Sequence, residues 1–404
     1  MTKLKLAIIV QRYGLEVSGG AELHARWLAE HLLSIADVDV FTTCALDYRT
    51  WSNHYPAGIT NINGVTVHRF PSDSERPLQL SKEQIRLGRK IHKGRYDPTE
   101  ETEWMWSQGP TSSHLIQKIE RSYHLYDAFI FFTYQYASTV FGLPLVSDKA
   151  ILVPTAHDEP ILYYPVFRKL FHAPRAIAYN TEAERLFVNR ITRNSHVPHT
   201  VVGIGINEPP DHSADRFRQK FNVEGPFITY LGRLVEQKNV PELIDYFVRY
   251  KAAHHSDLKL VLMGKGHVPI PDRPDIITTG FVTEQDKFDG FAAAEAVIVP
   301  SVFESLSMIA LEGWLMERPL LVNGNCEVLR VQCQRSHGGL YYTTYEEFAA
   351  MLVYLQNNPE QKVQLGRNGH RFTQTNYNWD TIISKYQAML DHVTTTEIGQ
   401  NLHP

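Results

Sequence analysis

The chain has 404 residues, which is enough for two domains of roughly 200 each. Its 43% hydrophobic and 21% charged content is ordinary for a soluble globular protein. A formal net charge of −4 excludes a global attraction to nucleic acid, and no run of 18 apolar residues is available to cross a bilayer.

Three cysteines, Cys44, Cys326 and Cys333, make no even framework and suit a reducing cytoplasm. The opening MTKLKLAIIV reads as a first strand, with no secretory core or cleavage signal. Residues 6–10 are that strand. The polar loop 11–18, Gly19-Gly20 and an amphipathic helix over 21–33 follow. A strand at 38–43 completes a βαβ opening, which invites a nicotinamide reading with Asp39 as the ribose acid. Two features oppose it. The turn is Gly-Gly where that fingerprint needs G-x-G-x-x-G, and Asp39 stands early in its strand where the acid should close it. A plain tight turn is the other reading of Gly19-Gly20. Asp37-Val-Asp39 also fits a D-x-D metal motif, but charges commonly flank a strand entry, and neither HExxH nor paired CxxC is present.

Residues 51–71 read as a turn-rich pair of short strands. The segment 81–96 carries Lys82, Arg86, Arg89, Lys90, Lys93 and Arg95 against Glu83 alone. Such a segment suits anionic lipid headgroups or an anionic acceptor, and a solvated face is the commoner alternative. Trp104-Met105-Trp106 either lines an acceptor cleft or packs in the core. Apolar strands at 126–133 and 150–154 come next, the second leading into TAHDEP. His157 therefore falls just past the carboxyl end of a strand, where open α/β sheets place their functional loops. Residues 176–179 close the first half, and Pro209-Pro210 marks an irregular connection near 201–210.

The second half opens with a strand at 227–231 and the turn GRLVEQKN. Arg233 and Lys238, ahead of a helix over 240–250, form a diphosphate clamp on physical grounds. The helix dipole and both cations favour an anion there. A strand at 259–263 closes on Gly264-Lys265-Gly266-His267, and 276–279 leads into Gly280-Phe281-Val282. The stretch 296–322, AVIVPSVFESLSMIALEGWLMERPLLV, reads as strand, loop, helix, strand. On a helical wheel Met308, Ile309, Leu315 and Met316 share an arc with Glu312 in its middle. Glu317 falls opposite, beside Ala310 and Gly313, where a solvated charge belongs. A carboxylate on an apolar face must find a partner or lose its charge. Glu312 is thus either half of a core ion pair or an acceptor for ligand hydroxyls. The loop 301–307 offers backbone N–H groups, with Ser305 or Ser307 as N-cap, to an anionic or hydroxyl-rich ligand. Residues 345–355, 359–372 and 379–392 are helical, and 393–404 reads as a frayed tail.

Glu304 and Glu312 form an E-x7-E pair after an apolar strand, the second opening EGWLMERPLLV. The pattern resembles the donor-site signature of retaining glycosyltransferases of the GT-B fold, especially family 4. The resemblance runs in order from Gly19-Gly20 through His157, Arg233 and Lys238 to the Trp379 helix. It implies an α/β GT-B architecture of two doubly wound Rossmann-like domains facing each other across a cleft. An acceptor-binding domain would span 1–205, with helix 379–392 crossing back onto it, and a donor-binding domain 206–378. Gly19 and Gly20 would let the backbone approach the donor, and His157 would face the sugar and acceptor. Arg233 and Lys238 would hold the diphosphate and stabilise its departing charge. Gly264 matches the family's G-x-G turn, and Val282 its base-contacting segment. Glu304 with Ser305, Leu306 and Ser307 would hold the sugar, and Glu312 the ribose. Ser305-Leu306-Ser307 departs from the glycine-richer loop common in the family.

The implied activity is hexosyl transfer from a nucleotide-sugar (UDP- or GDP-sugar) to a saccharide or lipid-linked acceptor in glycan biosynthesis. It would proceed with retention and without metal or other cofactor. The setting implied is the cytoplasm, or the inner face of the membrane with peripheral contact through 81–96, with no nucleic-acid partner. A nucleotide-sugar epimerase of the same fold and a non-catalytic nucleotide-sugar binder are the alternatives.

Overall fold

A computed structural model describes residues 3–77 and 79–395. The chain divides into two compact units, one comprising residues up to Gly205 and from Trp379 onward, the other Ile206–Asn378. The first unit holds β1 Leu4–Ile9, β2 Ala36–Thr43, β3 Gly58–Ile62, β4 Val65–Phe70, β5 Ala128–Phe132, β6 Ala150–Val153, β7 Ala176–Tyr179 and β8 His199–Val201. They form one sheet in the order β3-β4-β2-β1-β5-β6-β7-β8, parallel except for the β3/β4 hairpin. Alternation along β1 shows why both faces are covered. Ala7 and Ile9 join one apolar cluster, with Leu80, Leu87, Trp104 and Met105, whereas Leu6 and Ile8 join another, with Leu28, Leu32, Tyr386 and Leu390. A sheet apolar on both faces needs a helical layer on each.

The second unit holds β9 Phe227–Leu231, β10 Lys259–Met263, β11 Ile276–Gly280, β12 Ala296–Val299, β13 Leu320–Asn323 and β14 Gly339–Tyr342. All pair in parallel in the order β11-β10-β9-β12-β13-β14. Counted from β9 this is 3-2-1-4-5-6, the doubly wound nucleotide-binding order. The direction of winding reverses between β9 and β12.

Several sequence expectations need correction. The helix expected at 308–317 is Met308–Leu315; Leu315, Met316 and Glu312 of the expected arc are buried, but the buried side extends beyond that arc. Met308 and Ile309 are half-exposed, whereas Ala310 and Gly313 are buried. The helix is enclosed on more than one side. A Cβ on Gly313 would lie 3.1 Å from Val297, and Trp314 packs on Gly369 of the Pro359–Asn376 helix while its Nε1 donates to the Gly338 carbonyl at 2.8 Å. Glu317 is exposed, as the wheel expects.

The final helix is Trp379–Thr395, so residues 393–395 of the expected tail are helical, and 396–404 lie outside the described residues. Tyr386, Met389, Leu390 and Val393 are buried in the first unit's core. Gly205 must be glycine, because a Cβ there would meet the Trp379 ring at 2.2 Å. That indole stacks on His31 at 3.6 Å. Asp37 and Asp39 lie within β2. Asp39 accepts a hydrogen bond from the Tyr126 hydroxyl at 2.5 Å, and Asp37 pairs with Lys3 at 3.6 Å. Among the described residues no three His, Cys, Asp or Glu side chains group to hold a metal, and no helix is long and apolar enough to cross a membrane.

Candidate active site

In the second unit the loops after β9 and β12 meet. Lys238 Nζ lies 2.6 Å from Glu304 Oε1, and both side chains are half-buried. Lys238 ends a short 3₁₀ turn, Glu236–Lys238, and Asn239 at φ 57 turns the chain into the Val240–Ala253 helix. The Asn239 amide then donates to Glu242 Oε1 at 2.7 Å, which holds the first turn of that helix in place. Arg233 is exposed on the same loop. Its carbonyl accepts the Tyr230 hydroxyl at 2.8 Å, and burial and the Glu304 carboxylate both raise that hydroxyl's pKa. The residues assigned to diphosphate and to sugar are therefore partners of one another.

Ser305 is half-exposed, whereas Leu306 and Ser307 are buried. Ser307 occupies the N-cap position of the Met308–Leu315 helix, but its side chain makes no capping bond. The reason is backbone geometry. At φ 69 the residue is left-handed, whereas capping needs the extended region that aims the hydroxyl at the first-turn N–H groups. A non-glycine residue held there is strained, and such strain gathers at functional loops.

Glu312 is buried, and its Oε1 accepts from Lys287 Nζ at 2.7 Å. Glu312 Oε2 is buried without a hydrogen-bond partner. Burial pushes the Glu312 carboxyl up, with Lys287 pulling it back. Burial works against the Lys287 charge, but Glu312 and Glu284 outweigh it and raise its pKa. The core ion pair anticipated for Glu312 is thus present, and an acceptor oxygen is left over. An orphaned buried carboxylate oxygen is costly, and a ligand hydroxyl would satisfy it.

Sequence reasoning missed Lys287. It lies in the fully buried 286–291 run of the Glu284–Ala293 helix, behind the Thr283–Asp286 capping box, and with Asp286 and Asp289 in that run nothing in the sequence marked it as buried.

Gly264 and Gly266 serve their own fold. A Cβ on Gly264 would sit 1.9 Å from the Gly232 carbonyl oxygen, and one on Gly266 1.9 Å from that of Leu234. The loop after β10 packs directly on the loop after β9, and Leu234 N–H donates to the Lys265 carbonyl at 3.0 Å. Val282 is half-exposed after β11, beside the exposed ring of Phe281.

In the first unit the corresponding loops follow β1, β5 and β6. Gly19, at φ 153, and Gly20 start the Gly20–Leu32 helix. A Cβ on Gly19 would meet the Glu22 carboxylate at 2.2 Å. That carboxylate is buried and receives Gln11 Nε2 and Arg12 Nε, each at 2.9 Å. Gln11 Oε1 in turn accepts from Thr133 Oγ1 at 3.2 Å, bridging the loops after β1 and β5. His157, partly exposed after β6, has its Nε2 3.9 Å from Glu159 Oε1, which accepts the Tyr134 hydroxyl at 2.6 Å.

Glu184, also missed, braces this loop. Its two oxygens accept the N–H groups of Ala156 and Asn180, each at 2.6 Å, and burial pushes its carboxyl up to about 8. Thr133 and Thr155, β-branched residues at φ 63 and 51, are strained at the ends of β5 and β6. His24, buried against Phe132, is held neutral by desolvation, with its pKa lowered to about 3.

Comparison with known proteins bears on this geometry. Residues 225–358 match the family described as Glycosyl transferases group 1. Over its whole length the chain is similar to sucrose-phosphate synthase from Thermosynechococcus elongatus, with a TM-score of 0.70 at 16% identity, covering 98% of this chain and 100% of that one. It is also similar to HepE from Anabaena in complex with UDP-glucose, with a TM-score of 0.69 at 14% identity, covering 96% and 99%. The fold is GT-B. An uncharacterised glycosyltransferase of Methanocaldococcus jannaschii is 23% identical over 384 residues, 88% of this chain and 86% of that one. The family match lies within the second unit and includes Arg233, Lys238, Glu304 and Glu312.

Proposed function

We propose that the protein is a retaining, metal-independent glycosyltransferase that moves a hexose from a nucleotide-sugar to a saccharide or lipid-linked acceptor in glycan biosynthesis. The reading rests chiefly on the second unit's switch point. There a cation–carboxylate pair, Lys238–Glu304, joins the loops after β9 and β12, and Glu312 keeps a buried acceptor oxygen. Arg233 and Lys238 would bind the donor diphosphate and stabilise the charge that develops on it as the glycosidic bond breaks. Lys238 would leave Glu304 for the phosphates, freeing that carboxylate to accept sugar hydroxyls. Glu312 Oε2 would accept a ribose hydroxyl while Lys287 keeps the carboxylate charged. The uncapped first turn of the Met308–Leu315 helix offers further N–H groups to the diphosphate. Gly264 and Val282 would border the base, and His157 would orient the sugar. The similarity to a protein bound to UDP-glucose favours uridine as the base.

Thermal stabilisation by UDP, GDP, ADP and TDP tests the donor site. Saturation to 100 times Kd adds about 2.7 kcal/mol. Turnover of the matching nucleotide-sugar then tests transfer. A wild-type protein that responds to none of the four refutes the donor assignment. Nucleotide binding with turnover unaltered in His157→Ala refutes the role of His157.

A further inference from the structure

The first unit carries a second cationic feature, remote in sequence from the switch-point loops. The Leu80–His92 helix turns one side inward. Leu80 and Leu87 are buried, the Tyr164 hydroxyl donates to the Gln84 carbonyl at 2.7 Å, and Gly88 lies against the Tyr164 ring. This fixes what the opposite side presents. Lys82, Arg86, Arg89 and Lys93 recur at spacings of four, three and four, so they stand in one stripe on the outer side. At 1.5 Å per residue the stripe is about 16 Å long. With Lys90 and Arg95 it lines a hollow of about 420 Å³, within the range of small-molecule sites.

The arrangement works against the helix that bears it. Lys82 and Arg86, Arg86 and Lys90, and Arg89 and Lys93 are like charges one turn apart, which destabilises an isolated helix. The helix dipole favours the cations of the last turn but opposes Lys82 in the first. Only Lys90 is neutralised, by Glu100. Among the described residues no ion pair engages the other five, in a chain whose net charge is −4.

We propose that this hollow binds a small soluble ligand carrying several phosphate groups. Three arginines supply planar forks that match phosphate oxygens two at a time. The lysines add point charges along the row, and Ile85, 56% exposed, gives the ligand one apolar contact. A flat bilayer is the poorer match. The cations line a hollow, and Leu80, Leu87 and Ile91 pack in the protein core, so the helix exposes Ile85 alone and has no continuous apolar face to insert.

The test uses the full chain carrying Lys238→Ala, so that the switch-point loops do not compete for the probe. Titration calorimetry with inorganic tripolyphosphate should show one site that weakens between 50 and 500 mM NaCl. Arg86→Ser with Arg89→Ser should weaken it by about 10–100-fold for each arginine. Both residues are exposed, and removing them relieves like-charge repulsion, so folding is preserved. Arg367→Ser with Arg371→Ser removes the same charge from another exposed helix surface and should leave affinity unchanged.

Three results would overturn the proposal. One is no saturable tripolyphosphate site. Another is equal loss in the two double variants. The third is sedimentation with vesicles of 70% phosphatidylcholine and 30% phosphatidylglycerol, dependent on Arg86 and Arg89, without tripolyphosphate binding. Each is independent of nucleotide binding, so failure here is distinguishable from failure of the transferase reading.

Discussion

Replacing Glu312 alone, and then together with Lys287, separates the two roles of that carboxylate. In Glu312→Leu the Lys287 ammonium loses a partner at 2.7 Å in a buried setting and keeps only Glu284, whose side chain is 61% exposed. Removing one member of a buried pair costs about 3–5 kcal/mol, and the surviving Glu284 contact places this case at the lower end, about 3 kcal/mol. For a unit of this size that is a fall in Tm of about 6–12 °C. In Lys287→Met with Glu312→Leu no charge is stranded, and apolar replacement of a buried pair is neutral or stabilising by about 1–4 kcal/mol. Stability should therefore return to wild type or above. Nucleotide response should not return. The nucleotide that stabilises the wild type by about 2.7 kcal/mol at 100 times Kd should shift neither variant. Differential scanning fluorimetry with and without nucleotide reads both quantities. A double variant that keeps the wild-type nucleotide shift would refute the ribose role and leave Glu312 as a core ion pair only. A single variant as stable as wild type would refute the account of the pair itself.

Lys238→Ala should lower kcat by about 10²–10³-fold, since it removes a cation from the departing diphosphate. Because its pair with Glu304 is partly solvated, the melting temperature should barely move. A large stability loss with unchanged turnover would reverse that assignment. Gly266→Ala should destabilise the second unit by about 2–4 kcal/mol, as its Cβ would sit 1.9 Å from the Leu234 carbonyl oxygen; an unchanged melt contradicts the loop packing. Above about pH 8, where its carboxyl is ionised, Glu184→Gln should cost about 1–3 kcal/mol, because one of the two N–H groups at 2.6 Å would face an amide donor. Wild-type stability in that variant would refute the bracing role.

His24 gives a pH prediction. Its folded pKa of about 3 lies below the ordinary 6.5, so the unfolded chain takes up a proton that the folded chain refuses. This contribution to stability is present above pH 6.5 and falls by about 1.4 kcal/mol per unit as pH drops toward 3. Denaturant midpoints for His24→Leu should fall less steeply than wild type from pH 6.5 to 4.5, and parallel curves would count against it.

The parallel strands were legible because each is a short apolar run closed by a turn signal, and their order along the chain fixed the doubly wound class. The Arg233–Lys238 turn and the E-x7-E pair were legible as local patterns. What a local pattern cannot carry is partnership across the sheet. Lys238 and Glu304 meet because β9 and β12 are neighbours, and Lys287 reaches Glu312 across 25 residues of sequence. The wheel gave only part of the buried side of the Met308–Leu315 helix because periodicity assumes one covered face, whereas this helix is enclosed by Val297, Leu320 and the Pro359–Asn376 helix. The Ser307 cap failed for a backbone reason, a positive φ that residue type alone does not disclose. Gly264 and Gly266 were visible as glycines, but their cause, contact between two loops, was not.

The connectivity of the first unit bears on how the protein is made. Its sheet is finished at Val201, yet Tyr386, Met389 and Leu390, which complete one face of that sheet's core, are synthesised only after the whole of the second unit. At roughly 5–20 residues per second, synthesis of Ile206–Asn378 takes on the order of ten seconds or more. Throughout that interval the nascent first unit displays an apolar groove shaped for a helix that does not yet exist. A second nascent chain on the same message presents the same groove, and a finished chain's Trp379–Thr395 helix fits either one. Exchange of that helix between copies is therefore the misassembly this topology invites, and it should disappear in a circular permutant that begins at Trp379.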